Sequence, residues 1–339
     1  MSNDTIFLKK INKENSKLDS GYVNVRKIPN LKECNYYVLP IPLDGEAPKQ
    51  YIKAYFYYKN CPRKQNPSSW HGFFAKYGGK SYPHESVLEY TINKIGEYLG
   101  LEMNKTRLAI INGQIRFLSQ DFIKKNKKLI HGIEVITEYF EDEEFVQKLN
   151  QDRSERRKYL TFEIVETAIQ KVYPRSADII LKSLVKLITY DAIVGNNDRH
   201  FYNWGLIGDV LKINKNPPKF SPIYDTARAL LWNKTDDKVK LMYSHYLTGS
   251  NEIDLFINKS TPRFSYESKP NSNHFEFIKF LVNYKKSYRL IVEELICVEK
   301  ENTVLKKLKE NEFDFFIKER ALLMEIILKK RMSKLRGLL

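Results

Sequence analysis

The sequence predicts an α+β fold in two lobes, a small β-rich N-lobe and a larger, mainly helical C-lobe. Aromatic and β-branched runs bounded by Pro, Gly and Asn crowd the first third of the chain, whereas after Phe122 apolar residues recur mostly at helical spacing. At 339 residues, with 42% hydrophobic and 13% aromatic content, the chain is long and apolar enough to bury a substantial core. No internal repeat or low-complexity linker interrupts it, so the sheet-first, helix-later order implies one lobe packed on the other.

Residues 36–41, 50–58 and 70–77 read as strands. A helix over 85–99 follows, with Val87, Tyr90, Ile95 and Leu99 on one face and Gly100 as its stop. Strands over 107–112 and 114–119 flank Asn112-Gly113, a strong hairpin signal. Later, 181–194 carries an apolar face that leads into a polar loop, and 313–335 reads as one long amphipathic helix. The hinge is expected at Ser119 to Phe122, dividing the chain into an N-lobe of 1–122 and a C-lobe of 123–339.

Composition narrows the function classes. Cys34, Cys61 and Cys297 are odd in number, widely spaced and outside metal-ligand pairs, as expected of reduced thiols in a cytosolic protein. The N-terminus lacks a secretory apolar region, and no apolar run approaches the ~18 residues of a membrane span, so a cytoplasmic location is expected, with export as an effector left open. A net charge of +16 raises a nucleic-acid reading. The basic clusters at 124–128, 153–158 and 329–336 come without a zinc-finger, RNA-binding or recognition-helix motif, and read first as solvated helix faces.

The informative stretch runs from Asp191 through Gly195-Asn196-Asn197-Asp198-Arg199-His200 to Asn203, and is followed by Ser221-Pro222-Ile223-Tyr224-Asp225. Phosphoryl transfer needs a group that orients the hydroxyl nucleophile and oxygen ligands for the magnesium that neutralises phosphate charge. Asp198 suits the first role, and Asn203 with Asp225 the second. The competing reading of Asn-Asn-Asp-Arg is a turn with capping side chains, because Asn and Asp favour turns for local reasons. The continuation to Asn203 and Asp225 weighs against it.

These two motifs resemble those of the HipA-like serine/threonine kinases, in which a Gly-Asn-x-Asp-x-His-x-x-Asn loop precedes a Ser/Ala-Pro-x-Tyr/Phe-Asp segment. Asp-Arg-His and Asn203-Trp204-Gly205 are nearest to the compact cell-translocating kinase A (CtkA) branch. The resemblance covers about residues 40 to 235. It implies a bilobal protein-kinase-like fold that uses ATP and Mg2+, with Asp198 as catalytic base, Asn203 and Asp225 as metal ligands, and Tyr224 beside the nucleotide.

In the N-lobe, Lys76 is placed to reach nucleotide phosphates, with an ordinary strand-edge lysine as the alternative. Glu89 is preferred over Glu85 as its partner, lying eleven positions before the Gly of Leu99-Gly100-Leu101 as in the resembling kinases. In 44–49, Gly45 and Lys49 match a family phosphate loop of Ser-Gly-x-Gln-x-Lys, whereas Asp44 and Ala47 replace its Ser and Gln. That departure removes the loop serine that several relatives autophosphorylate, and nothing shows that Ser68 or Ser69 takes over. A plain β-turn is the alternative for this segment. The family's hinge implies adenine contacts with the backbone of Gln120 to Phe122. His200 either lies beside the nucleotide or braces the loop, while Arg199 and Arg228 read first as bracing ion pairs. The histidines at 71, 84, 131, 245 and 274 show no zinc spacing and read as structural or exposed.

The reading is therefore an ATP-dependent serine/threonine protein kinase of toxin or effector type, acting on a protein hydroxyl. By resemblance the acceptor is a tRNA synthetase or a host protein, and a small antitoxin or N-subdomain-like partner is a candidate companion. Neither a membrane nor nucleic acid is required. Residues 236–273 are expected to shape the substrate side. The alternatives are a nucleotide-binding pseudokinase, a lipid kinase and a basic nucleic-acid-binding protein.

Overall fold

The structure, a computed structural model, describes residues 11–43, 47–57, 63–210 and 216–339. Five antiparallel strands build the N-lobe sheet: β1 (Tyr36–Leu39), β2 (Lys49–Ala54), β3 (His71–Lys76), β4 (Thr106–Ile111) and β5 (Gln114–Gln120), in the order β1-β2-β3-β5-β4. β1 stops at Leu39, short of the expected Ile41, because Pro40 has no N–H to give the ladder. β2 ends at Ala54 instead of running to 58, because its partner gives out: the Tyr55 N–H still reaches Asn35 O at 2.8 Å, but Asn35 belongs to the 3-10 turn Glu33–Asn35 that precedes β1. Asn112 and Gly113 have φ of 50° and 74°, the left-handed pair that a two-residue hairpin turn requires.

Strand alternation gives the sheet two different faces. Phe73 and Ala75 of β3 join Ile52, Ala109 and Leu118 in a small core closed by Ile11 and Leu31. Lys76 therefore projects to the other face. There α1 (His84–Leu99) packs, ending at Gly100 with φ 85°.

The C-lobe opens with β6 (Lys127–His131), and then α2 (Gly132–Phe140), α3 (Glu143–Gln151), α4 (Arg153–Tyr159), α5 (Phe162–Val172) and α6 (Ala177–Val194). β7 (Gly205–Asp209) and β8 (Lys219–Phe220) form the short hairpin expected before Asp225 and, with β6, which was not expected in a mainly helical region, make a three-stranded sheet ordered β6-β7-β8. α7 (Asp236–Leu247), α8 (Glu252–Asn258), α9 (His274–Tyr284), α10 (Lys286–Ile296), α11 (Val298–Asn311) and α12 (Lys318–Arg336) follow. The large core is continuous between lobes, running from Leu88 and Ile92 of α1 through Leu184 and Ile188 of α6 to Leu323 and Ile327 of α12.

The single helix expected over 313–335 is corrected. Phe313–Phe315 is a separate 3-10 turn, and Phe316 and Ile317 are extended before α12 begins. The break lets Phe313, Phe315 and Phe316 all be buried, which successive residues of a helix, about 100° apart, cannot achieve on one face. Phe315 meets Tyr90 edge-on with ring centroids 6.2 Å apart, and the Tyr98 hydroxyl donates to Glu312 at 2.9 Å, so this turn clasps the outer side of α1.

The reading of the basic clusters as solvated helix faces also needs correction. Residues 124–128 lie in a turn and the start of β6, and Arg156, Arg157 and Arg331 are buried. Among the described residues no helix is long and apolar enough to cross a membrane.

Candidate active site

α6 delivers the polar loop. Its last turn ends at Gly195, with φ 74°, where a Cβ would come within 3.1 Å of the Arg331 guanidinium. Glycine meets both the left-handed backbone and the close approach. Arg331 Nε in turn donates to Ala192 O at 2.8 Å, placing a cation at the negative end of the helix. Beyond the glycine, the buried Asn196 amide donates to Asp191 Oδ1 at 2.9 Å, and its own oxygen accepts the Asp198 N–H at 3.1 Å. A carboxylate inside α6 thus sets the position of Asp198.

Arg199 holds this loop to the second motif. Its guanidinium pairs with both oxygens of the buried Asp191, Nε to Oδ2 at 2.9 Å and Nη2 to Oδ1 at 3.1 Å. Nη1 donates to Asn203 O and Tyr224 O, both at 2.6 Å. One buried cation thereby ties the backbone of Asn203 to the residue that precedes Asp225. Asn203 Nδ2 donates to Asp198 O at 2.9 Å, which leaves its amide oxygen as the atom able to face a cation. Asp225 has φ 54°, a strained conformation of the kind that persists where surrounding contacts over-determine it.

Lys76 joins the lobes, donating to Glu89 Oε1 at 2.8 Å and to Asp225 Oδ1 at 2.9 Å. Burial opposes the charge on Lys76, but Asp225 and then Glu89 outweigh it and raise its pKa. Burial pushes Asp225 up, yet the Lys76 ammonium more than offsets this and holds the carboxyl at about 2. Glu89 lies deeper, and burial pushes it up to about 7 against the pull of Lys76. Glu85 is otherwise engaged, accepting the N–H groups of Lys80 and Ser81 at 3.0 and 3.2 Å.

Lys49 stands opposite Lys76 in the β2–β3 register, so both side chains leave the same face of the sheet. Gly45 lies outside the described residues. At the hinge, Gln120 is already engaged, its N–H with Lys105 O at 2.9 Å and its C=O with the Asn104 amide at 2.9 Å. The Asp121 N–H goes to Gly72 O at 2.9 Å. This narrows the expected adenine contact to the Asp121 carbonyl and the backbone of Phe122. The Phe122 and Tyr224 rings lie 5.7 Å apart, and the Tyr224 hydroxyl donates to Tyr202 O at 3.0 Å and sits 3.2 Å from His131 Nδ1. His131, read as structural or exposed from sequence, therefore borders the site. His200 Nδ1 accepts the Tyr202 N–H at 3.3 Å, a loop-bracing contact, and burial lowers its pKa.

A family model for the HipA-like C-terminal domain matches residues 42–295. The chain belongs to this HipA-like family. No curated protein matches it. The crystal structure of the Helicobacter pylori proinflammatory kinase CtkA is similar, with a TM-score of 0.67 at 18% identity over 90% of this chain and 95% of that one. That likeness shows the bilobal kinase fold. A chain from the Shewanella oneidensis MR-1 toxin–antitoxin complex of HipA, HipB and operator DNA is more distant, with a TM-score of 0.49 at 11% identity over 88% of this chain and 67% of that one.

One site residue of this HipA-like chain escaped the sequence reading. Arg263, between α8 and α9, donates from Nε to Asp198 Oδ1 at 3.0 Å and from Nη2 to the same oxygen. Arg228 Nε lies 3.1 Å from Oδ2, so Asp198 is held from both sides. Arg228 sits three residues after Asp225 and was visible as a candidate. Arg263 is 65 residues from Asp198, with no motif around it to connect the two.

Proposed function

We propose that this HipA-like chain is an ATP- and magnesium-dependent kinase that moves the γ-phosphoryl group to a serine or threonine hydroxyl of a protein. The observation that carries this reading is the Arg199 clamp, which binds Asn203 O and Tyr224 O on one guanidinium nitrogen and so supports an amide and a carboxylate working beside Asp198. The donor set fits: Asn203 and Asp225 offer hard oxygen atoms, and magnesium is commonly held by one or two carboxylates together with substrate phosphates. The cation, held by Asn203 and Asp225, would neutralise the charge that develops on the transferring group. Lys76, fixed by Glu89, and Lys49 would face the phosphates. The Phe122 and Tyr224 rings would flank the base, with Asp121 O and Phe122 supplying its backbone contacts. Asp198 would orient the acceptor hydroxyl and take its proton.

On this reading the N-lobe comprises 1–122 and the C-lobe 123–339, with residues 236–273 on the acceptor side. The +16 charge favours an acidic acceptor surface. Toxin and effector roles, with a synthetase or host acceptor, rest on the family resemblance.

The test is incubation with γ-labelled ATP and magnesium, alone, with a generic basic protein and with a generic acidic one, followed by identification of the labelled residue. Label on serine or threonine supports the proposal. Label on lipid vesicles alone would indicate a lipid kinase, and bound nucleotide without any transfer a pseudokinase. Salt-dependent nucleic-acid binding indifferent to ATP would indicate the third alternative.

A further inference from the structure

We propose that Arg263 is a positioning residue of the active site, which occupies Oδ1 of Asp198 and so aims Oδ2 at the acceptor hydroxyl. This deepens the kinase reading and rests on it. A carboxylate offers about four acceptor positions, two on each oxygen. Arg263 fills both on Oδ1, through Nε and Nη2, while the Arg228 Nε stands 3.1 Å from Oδ2 as an ion-pair contact. Among the described residues Oδ2 carries only that ion pair, and a hydroxyl docks there with its proton directed at the base.

The segment that carries Arg263 is built to hold it still. The buried Arg157 of α4 donates to three of its carbonyls, Pro262 O at 2.9 Å, Pro270 O at 2.7 Å and Ser272 O at 2.8 Å. The Ser265 hydroxyl answers by donating to Arg157 O at 2.6 Å. Phe264, next to Arg263, is buried with its ring centroid 5.5 Å from those of Phe201 and Phe277, and Ser260 Oγ donates to Gly195 O at 3.1 Å. Both residues flanking Arg263 are thus anchored, one by a buried cation and one by aromatic packing. An incidental surface ion pair contributes little and needs no such support, whereas burying Arg157 carries a desolvation cost that its hydrogen bonds must offset. The chain commits that arrangement to a segment whose Arg263 meets the proposed base, while its Lys269 pairs with Glu276 at 2.6 Å.

The experiment compares wild type, Arg263→Ala, Arg263→Lys and Asp198→Ala for kcat, for KM of ATP and of the acceptor, and for Tm, with and without millimolar methylguanidinium. The expected result is a loss of kcat on the order of 10²-fold in Arg263→Ala, with both KM values within about threefold and Tm nearly unchanged. Arg263→Lys should recover part of this, because an ammonium replaces the charge and not the two-pronged geometry. Methylguanidinium should restore kcat in Arg263→Ala and leave Asp198→Ala inactive. Retention of kcat within threefold in Arg263→Ala would overturn the proposal, as would a loss that methylguanidinium and lysine both fail to repair. If wild type transfers phosphate and Asp198→Ala does not, the kinase reading stands whatever Arg263 does; a wild type without transfer overturns both.

Discussion

Lys76 and Asp225, 149 residues apart in the chain, meet at 2.9 Å across the cleft between the sheet and the helical lobe. The same ammonium binds Glu89 at 2.8 Å, so a residue of β3, one of α1 and one of the second motif share a single charge. Their alignment depends on the hold of α6 on α1, where the Tyr190 hydroxyl donates to Ile92 O at 2.7 Å, and on the contacts of the 312–316 turn with α1.

If that ammonium clamps nucleotide phosphates, Lys76→Met removes the clamp and leaves Glu89 buried without its cation. The expected outcome is a loss of phosphate transfer of 10²-fold or more together with weaker magnesium-ATP binding in calorimetry. Unchanged affinity and turnover would return Lys76 to an ordinary structural lysine.

Glu89 sets a pH dependence with a definite sign. Its carboxyl titrates at about 7 in the fold against 4.5 for the free group, so between these values the folded chain keeps a proton that the unfolded chain has lost. The stabilisation is complete below about 4.5 and disappears as pH rises through about 7. The stability of wild type relative to Glu89→Gln should therefore fall by roughly 1–3 kcal/mol across that window and then level off, read as the difference in denaturant midpoints. A flat difference would contradict it. Asp225 runs the other way, because its carboxyl is held at about 2, and its contribution is lost only as pH falls from 3.8 towards that value.

Arg199→Ala should destabilise the chain by about 3–5 kcal/mol, since it leaves Asp191 buried and charged with neither of its guanidinium bonds. Arg199→Lys should recover only part of this, as one ammonium cannot span Asp191, Asn203 O and Tyr224 O. Chemical denaturation checks both, and a lysine variant as stable as wild type would sink the clamp argument.

Much of this was legible in the sequence because it is local. The Asn112-Gly113 hairpin and the α1 stop at Gly100 follow from short-range signals, whereas the choice of Glu89 over Glu85 as the partner of Lys76 came from the family resemblance. Asp198, Asn203 and Asp225 stand in one recognisable pattern. Of the β6-β7-β8 sheet only the short hairpin before Asp225 was expected; β6 was not legible, since it begins inside the basic cluster at 124–128. Phe313–Phe316 carried the apolar content of a helix, and only the tertiary contacts with Tyr90 and His84 show why it breaks. Arg157 and Arg331 looked like members of solvated charge runs because sequence shows charge and not the carbonyls that a folded chain turns towards it. Arg263 was hidden for the same reason.

As the proposed base, Asp198 would serve the transfer of phosphate and not the binding of nucleotide. The decisive measurement is magnesium-dependent transfer from γ-labelled ATP by wild type and Asp198→Ala, with ATP affinity measured by calorimetry on the same samples. Transfer should fall by orders of magnitude in the variant while ATP affinity stays within a few-fold of wild type. Transfer retained by a folded Asp198→Ala chain would contradict that role.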